Sequence, residues 1–318
     1  MLLSVIIATC NRPDTIRATI EAVLNCDYDA FELLVVDQSI TSTTRQIAES
    51  IHDPRLRYLT APQEGKPTAL NVGIAASQGE IIAFTDDDCL PVTNWLDVIV
   101  NVFAERPRAG LLFGPVLPVE HDPEQGFVPT FEAGDKGHNR RYRLKFGIGA
   151  SMAARRSVLL ELNGFDKLLG PGAPLGPTDD EDIAYRTGKA GYEVWYEPKA
   201  VVIHDGFRDW KDGQRLVKAY AEGMGATYAK YIRCGDVEAV GRLLILYLVY
   251  FFHAAKRLVL WQRPFGLGWI VYTTGGIWKS LHYGVDRKQW QYRATPEDKS
   301  VLLEVNSQPV TQPTKFRS

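Results

Sequence analysis

Gly79-Glu-Ile-Ile-Ala-Phe-Thr-Asp-Asp-Asp88 runs an apolar segment straight into three consecutive carboxylates. Ile81, Ile82, Ala83 and Phe84 form a short continuous apolar run of the kind buried inside a covered parallel sheet. Asp86, Asp87 and Asp88 follow where that strand leaves the core. Ligands bind at the carboxyl ends of strands in open α/β sheets, so this position marks a candidate site. Three adjacent carboxylates repel one another and stay together only where positive charge compensates. A solvated acidic turn is the plain alternative for a bare DDD, but the strand directly upstream favours a site. Strand alternation predicts that Asp86 and Asp88 point one way and Asp87 the other. Two carboxylates on one side suit magnesium or manganese, which use one or two carboxylates plus substrate phosphates.

Strands and helices alternate on both sides of this stretch. An apolar strand over residues 3–8 is followed by Pro13, which suits the first turn of a helix with Ile16, Ile20, Val23 and Leu24 on one face. A second strand covers 31–36 and ends at Asp37. A helix over 43–51, a strand over 56–59 and a helix over 67–76 then lead into 81–84. This βαβαβαβ order implies a mostly parallel α/β sheet flanked by helices, with right-handed crossovers. A helix over 95–103 and a strand over 110–119 follow, and then a Gly/Pro-rich loop. Residues 147–205 read as helix, loop, helix and two short strands, 194–196 and 200–203.

Composition fits an enzyme. The chain has 318 residues, 45% of them apolar and 23% charged, with a net charge of -2. That is enough to bury a full core, and it offers no global basic field for nucleic acid. Cys10, Cys26, Cys89 and Cys234 are scattered without metal or disulfide spacing, as expected of a reducing cytoplasm. The apolar start over residues 1–10 lacks a basic leader and reads as a first strand, not a signal peptide.

The texture changes after residue 205. Arg208, Lys211, Arg215, Lys218, Lys230, Arg233 and Arg242 share helical patterns with aromatics. Leu243-Leu-Ile-Leu-Tyr-Leu-Val-Tyr-Phe-Phe252 follows, closed by His253, Lys256 and Arg257, and a second apolar stretch covers 265–278. Neither is a clean run of about 20 apolar residues, so a spanning helix is not required. Aromatic and basic flanks suggest helices lying in a membrane interface, with packing against the rest of the protein as the alternative. The expected organisation is a catalytic domain over 1–205, a helical, membrane-interfacial extension over 206–292 and a flexible tail over 293–318.

A second acidic cluster, Thr178-Asp-Asp-Glu-Asp-Ile-Ala-Tyr-Arg186, follows the loop Gly170-Pro-Gly-Ala-Pro-Leu-Gly-Pro177 and so opens a helix. Carboxylates there gain from the helix dipole, which is a sufficient structural reason for them. A general base beside a mobile loop is the functional reading.

These pieces together resemble family 2 glycosyltransferases of the bacterial, non-processive type, over about residues 3–205. Ser4-Val-Ile-Ile-Ala-Thr-Cys-Asn-Arg12 is similar to the family's opening strand and nucleotide-binding turn, and Glu32-Leu-Leu-Val-Val-Asp-Gln-Ser39 to its second strand. Gly65-Lys-Pro-Thr-Ala-Leu-Asn-Val-Gly73 resembles the segment beneath the donor diphosphate, and Asp86-Asp-Asp88 the DxD signature. Asn163-Gly-Phe-Asp166 and Asp179-Asp-Glu-Asp-Ile-Ala-Tyr-Arg186 resemble the acceptor-side motifs. Gly191-Tyr-Glu-Val-Trp-Tyr-Glu-Pro198 and Val201-Val-Ile-His204 are similar to the strand and histidine that follow them.

The resemblance implies a GT-A fold and a metal-dependent, inverting, hexosyltransferase-like enzyme. It also implies manganese or magnesium, a nucleotide-diphosphate-sugar donor and a hydroxyl-bearing glycan or lipid-linked acceptor. Thr9 and Asp37 would contact the base, with Arg12 nearby, and Lys66 would help neutralise the diphosphate. Asp86 would reach the ribose or the metal, with Asp87 beside it on the donor side, and Asp88 would ligate the metal. Asp180 is the expected general base, paired with Asp179, with Asp182 in reserve. His204 lies near the metal or caps a buried strand. The chain departs from the family pattern at Gln38, where a second Asp is common, at Cys10, where an aromatic is common, and at Asp179, where Glu is common. Such an enzyme would work at the cytoplasmic face of the membrane in cell-surface polysaccharide or glycolipid synthesis.

Three rival enzyme classes lack their marks. Ala8-Thr-Cys-Asn-Arg-Pro13 is neither the Gly-rich loop of a nucleotidyltransferase nor the GxGxxG of a dinucleotide oxidoreductase. A processive synthase would need several spanning helices and a Gln-x-x-Arg-Trp motif. A binding module without turnover would be expected to have lost carboxylates, and both acidic clusters persist.

Overall fold

The structure is a computed structural model that describes residues 1–133, 147–261 and 265–293, with the backbone of 138–139. The elements follow as β1 (Leu3–Thr9), α1 (Pro13–Leu24), β2 (Phe31–Asp37), α2 (Thr43–Ser50), β3 (Leu56–Thr60), α3 (Lys66–Ala76) and β4 (Ile81–Asp86). Next come β5 (Cys89–Pro91), α4 (Trp95–Glu105), β6 (Ala109–Phe113), β7 (Val116–Pro118), β8 (Gly126–Phe127) and β9 (His138–Asn139). A 3-10 turn (Gly149–Ser151) leads to β10 (Met152–Arg155), α5 (Arg156–Glu161), α6 (Asp179–Lys189), β11 (Glu193–Tyr196) and β12 (Val202–His204). The C-terminal part holds β13 (Arg208–Asp209), α7 (Trp210–Arg233), α8 (Val237–Val259), α9 (Phe265–Ser280), β14 (Gly284–Asp286) and β15 (Gln291–Arg293).

Eight strands form the central sheet in the order β3-β2-β1-β4-β10-β6-β11-β9. All seven residues of β1 are buried, because β1 lies between β2 and β4 with helices over both faces. Period-two alternation splits its side chains between two cores. Val5, Ile7, Leu33, Val35 and Ala83 meet α1 and α4 through Ile16, Ile20, Leu96, Ile99 and Phe103. Ile6, Leu34, Val36, Ile82 and Phe84 meet α3, α5 and α6 through Leu70, Ile74, Leu159 and Ile183.

The half β3-β2-β1-β4 is parallel, as its sequence pattern predicts. The first helix expected within 147–205 is instead a turn, then β10, then the short α5. β10 inserts antiparallel between β4 and β6, with Met152 opposite both Phe84 and Phe113. Met-Ala-Ala-Arg carries no β-branched signal; two open strand edges recruit it through backbone hydrogen bonds. The expected strand 110–119 divides into β6 and β7, and β7 joins β5 and β12 in a separate three-stranded sheet.

The C-terminal helices are built into this body. Gly225 of α7 and Gly276 of α9 let the two backbones touch: a Cβ on either would fall 1.9 Å from the other helix's carbonyl oxygen, that of Thr273 or Glu222. Lys230, one of the basic residues that share helical patterns with aromatics, is wholly buried between Asp166 and Asp182. An uncompensated ammonium there would cost several kcal/mol, so this stretch of α7 can only face Asp166 and Asp182 of the preceding α/β part. By contrast, α8 presents Leu244, Leu248, Phe251 and Phe252 outward, each more than half exposed. Among the described residues, α8 is the one helix long and apolar enough to cross a membrane. Except for its first residue, the expected tail over 293–318 lies outside the described residues.

Candidate active site

Three adjacent strands end side by side at one edge of the sheet. Thr9 closes β1 opposite Asp37 of β2, and Asp86 closes β4 one position behind, opposite Ala8. Beyond these ends lies a cavity of about 720 Å³ lined by Thr9, Arg12, Lys66, Asp86, Asp87, Asp88 and His204, among others. The sequence-expected donor and metal residues therefore meet in one place, apart from Asp37. That carboxylate is buried, accepting from the Ser39 backbone N–H at 2.8 Å and the Tyr58 hydroxyl at 2.7 Å, and the neighbouring Gln38 lines the wall instead.

The acidic triplet does not alternate as expected. β4 stops at Asp86, and Asp87–Asp88 form a turn, so strand geometry no longer assigns their directions. Asp86 pairs with Lys66 at the start of α3. Asp87 accepts from the Thr9 hydroxyl at 2.7 Å and from Arg12 at 2.8 Å, and Asp88 accepts from the same guanidinium at 2.6 Å. Asp87 and Asp88 thus share the Arg12 guanidinium, and Arg208 Nη2 also approaches Asp88 Oδ2 at 4.0 Å.

Burial sets the ionisation of these groups, with the neighbours deciding the outcome. Burial raises the Asp87 carboxyl to about 6 against the pull of Arg12 and Thr9. Burial also opposes charge on Asp88, but His204 and Arg12 outweigh it and hold that carboxyl well below the usual range. Burial would lower the Lys66 ammonium, and Asp86 and Asp179 more than reverse this.

The donor set fits a divalent cation. His204 Nδ1 lies 2.7 Å from the Pro129 carbonyl oxygen and donates to it, which aims Nε2 at Asp88 Oδ1 at 3.3 Å; burial lowers the imidazole's pKa, and Asp88 more than reverses this. A proton on Nε2 joins the ring to the carboxylate, and a divalent ion could take that proton's place. Cys89 Sγ lies in the same group, but burial, with Asp86 and Asp88 adding to it, keeps it a thiol. A nitrogen and carboxylate pair suits manganese, and magnesium less well. Asp88 and His204 are the residues that would hold the ion, while Asp86 is engaged by Lys66.

The loop before the second acidic cluster lines this cavity through Pro171, Gly172 and Pro177, and Asp179 and Asp180 of α6 lie behind that wall, outside the lining. The preceding loop crosses the start of α3, with Lys66 N–H donating to the Pro171 carbonyl at 2.9 Å. Asp180 accepts from the Gly149 N–H at 3.1 Å, and a Cβ on Gly149 would lie 3.8 Å from both Asp180 Cβ and Lys66 Nζ. Asp179 is raised by burial and by Asp180, with Lys66 opposing. Glu181 is raised by burial and Asp180, and its buried Oε2 has no partner among the described residues.

Asp182, the reserve candidate, stands apart. Its Oδ1 accepts from Lys230 at 2.5 Å and Tyr231 at 2.6 Å, and its Oδ2 accepts from Arg186 at 2.9 Å. It is wholly buried, whereas Asp179 and Asp180, which do not line the cavity either, are 7% exposed.

Sequence reasoning missed the wall contributed by the C-terminal segment. Arg208, Leu216, Ala219 and Tyr220 all line the cavity. The spacing of Leu216, Ala219 and Tyr220 signals a helix face, but a face that lines a cavity and one that merely packs read alike.

Comparison with known proteins agrees with this geometry. The family described as Glycosyl transferase family 2 matches residues 4–162. A probable glycosyltransferase of Bacillus subtilis, YdaM, is 25% identical over 265 residues, covering 78% of this chain and 61% of that protein. A glucosyl-dolichyl phosphate glucuronosyltransferase of Haloferax volcanii is 25% identical over 182 residues, covering 54% of this chain and 58% of the relative. The chain thus spans less than two thirds of the length of these curated relatives. Among solved structures, the mannosyltransferase PcManGT of Pyrobaculum calidifontis, in complex with GDP-Man and Mn2+, has a TM-score of 0.57 at 20% identity. That match covers 96% of this chain and 79% of the other.

Proposed function

We propose, from the premise that this chain belongs to glycosyl transferase family 2 and carries its GT-A fold, that it is an inverting, metal-dependent, hexosyltransferase-like enzyme. It would move a sugar from a nucleotide diphosphate to a hydroxyl of a lipid-linked or otherwise membrane-bound acceptor. The observation that carries this reading is a cavity lined by Asp88, His204 and Lys66, with Asp180 close behind it: a Cβ on Gly149 would lie 3.8 Å from both Lys66 Nζ and Asp180 Cβ. A relative that acts on a dolichyl phosphate glycolipid and a fold neighbour bound to GDP-Man and Mn2+ support the substrate classes.

Each group has a chemical task. A divalent cation on Asp88 and His204 would neutralise charge developing on the leaving diphosphate. Lys66 adds fixed positive charge in the same cavity, preorganised by Asp86. An acceptor hydroxyl has a pKa far above 7, so it must lose its proton as the sugar bond forms, and Asp180 takes it. One base and one displacement invert the anomeric centre, by analogy with inverting glycosidases. Asp182 cannot serve as that base, because its oxygens are already bound to Lys230, Tyr231 and Arg186.

The outward apolar face of α8 would rest on the cytoplasmic face of a membrane and bring a lipid-linked acceptor near the cavity. Residues 206–290 hold about 13 basic against about 6 acidic side chains, a bias that favours anionic lipid. Cell-surface glycan or glycolipid synthesis follows as the setting.

A thermal-shift panel of UDP- and GDP-sugars with and without manganese tests the donor. A ligand at 100 times its Kd adds about 2.7 kcal/mol of stability. Turnover with prenyl-linked saccharides in detergent, with the product anomer read by NMR, tests the rest. Tight donor binding without turnover to any acceptor would leave a binding module, and a retained anomer would sink the single displacement.

A further inference from the structure

We propose that Arg12 is a two-position cation: it neutralises Asp87 and Asp88 until a metal ion arrives, then swings to the donor diphosphate. Metal and nucleotide binding are thereby coupled. This rests on the reading of the cavity as a metal and diphosphate site.

The present position of Arg12 is well defined. Nη1 lies 2.8 Å from Asp87 Oδ1 and Nη2 lies 2.6 Å from Asp88 Oδ2, so one planar fork spans two adjacent residues. The two carboxylates are 6% and 2% exposed, and the Arg12 side chain is 36% exposed. A partly exposed cation therefore sits on buried anions. Three successive carboxylates at a strand end need such a partner, because their mutual repulsion is strong at this burial. Arginine stays charged at any working pH, so it can leave only by moving.

The chain around Arg12 confines that movement to the side chain. Asn11 is in the left-handed region at φ 54°, its N–H donates to Ser39 Oγ at 2.7 Å, and its Oδ1 accepts from the Ile40 N–H at 3.3 Å. Pro13 opens α1 directly after it. The backbone is thus anchored on both sides, and the long side chain turns inside the cavity it lines.

A divalent ion on Asp88 places two positive charges beside the guanidinium and competes for the same carboxylate. Asp88 Oδ1 already faces His204, so the oxygen that holds Arg12 is the other one on the same group. Repulsion expels the guanidinium into the cavity, where diphosphate oxygens match its fork. Arg12 therefore weakens metal binding in the empty protein and strengthens nucleotide binding once metal is present. By linkage the two ligands must then favour each other equally.

The test is calorimetry with manganese alone, with UDP and GDP alone, and with both, on the full chain. Arg12→Met should bind manganese alone about tenfold more tightly than the unaltered protein. Its affinity for the nucleotide at saturating manganese should fall by about tenfold or more, so the coupling factor collapses. Arg12→Lys, a point charge without the fork, should fall between. Circular dichroism checks that the variants fold, which the partial exposure of the side chain favours. Manganese binding no tighter in Arg12→Met would overturn the first position. Unchanged nucleotide affinity would overturn the second. Asp88→Ala separates the two levels of the argument. If it binds manganese as well as the unaltered protein, the metal reading falls and this inference with it. If manganese needs Asp88 but ignores Arg12, only this inference falls.

Discussion

Lys230 Nζ lies 2.5 Å from Asp182 Oδ1, and both side chains are closed to solvent. The pair joins α7 to the first turn of α6, the turn that carries Asp180. Lys230 also reaches Asp166 at 2.7 Å, and Arg186 closes the other side of Asp182. Removing one partner leaves a buried charge uncompensated, which costs about 3–5 kcal/mol. Lys230→Met and Asp182→Asn should each lower stability by that order in chemical denaturation. An Asp182→Asn protein as stable as the unaltered one would contradict the assignment of Asp182 to structure.

Asp180→Asn keeps the size of the side chain but cannot accept a proton. Turnover should fall by about 10²–10⁴-fold with donor affinity nearly unchanged, the mark of a transition-state loss. Steady-state kinetics beside donor calorimetry reads both. Normal turnover would return the cluster to its structural role as a helix start.

Asp88→Ala should abolish metal-dependent donor binding, and a chelator should do the same to the unaltered protein. Isothermal titration of the nucleotide-sugar in both conditions decides it. Affinity that survives chelator and substitution alike would remove the metal from the site.

Asp182 and Asp179, both in the first turn of α6, respond to pH with opposite signs. Burial opposes charge on Asp182, but Arg186 and Lys230 outweigh it and depress its pKa. Its stabilisation is full above the ordinary carboxylate value of about 3.9 and is lost as pH falls below it. Asp179 is raised to about 7 by burial and Asp180, against Lys66. Its contribution is full at low pH and is lost as pH rises from about 4 to about 7. Asp182→Asn should therefore close its stability gap with the unaltered protein below about pH 4. Asp179→Asn should gain on it between about pH 4 and pH 7. Thermal midpoints across pH 3–8 measure both, and parallel curves would refute the signs.

Membrane docking is tested on α8, since a truncation at residue 212 would delete Lys230 and strip Asp166 and Asp182 of their partner. Leu248 and Phe252 stand one turn apart and are 54% and 66% exposed. Leu248→Glu with Phe252→Glu should leave the melting temperature unchanged and move the protein from floated anionic vesicles to the soluble fraction. Equal flotation of both forms would rule the surface out.

The parallel half of the sheet was legible because its strands are continuous apolar runs, and only a doubly covered strand needs that pattern. The strand-end positions of Asp37 and Asp86 followed from the same runs. β10 was not legible. Met152-Ala-Ala-Arg155 is compatible with helix or strand, and the open edges of β4 and β6 decide it. Arg12 was legible as a residue of the turn between β1 and α1, but not as the partner of Asp87 and Asp88. That pairing spans residues 75 and 76 positions apart, joined only by the β1–β4 ladder.

Lys230 and Lys218 mark the limit most clearly. Both are lysines on one amphipathic helix, yet the first is wholly buried between carboxylates and the second is exposed. Local pattern determined that α7 is a helix, that β4 delivers an acidic triplet to a sheet edge, and that α6 opens on carboxylates. Only the tertiary structure decided which of those charges are locked together and which face the cavity. Periodicity depends on neighbours along the chain, whereas pairing of buried charge depends on groups brought together from distant segments.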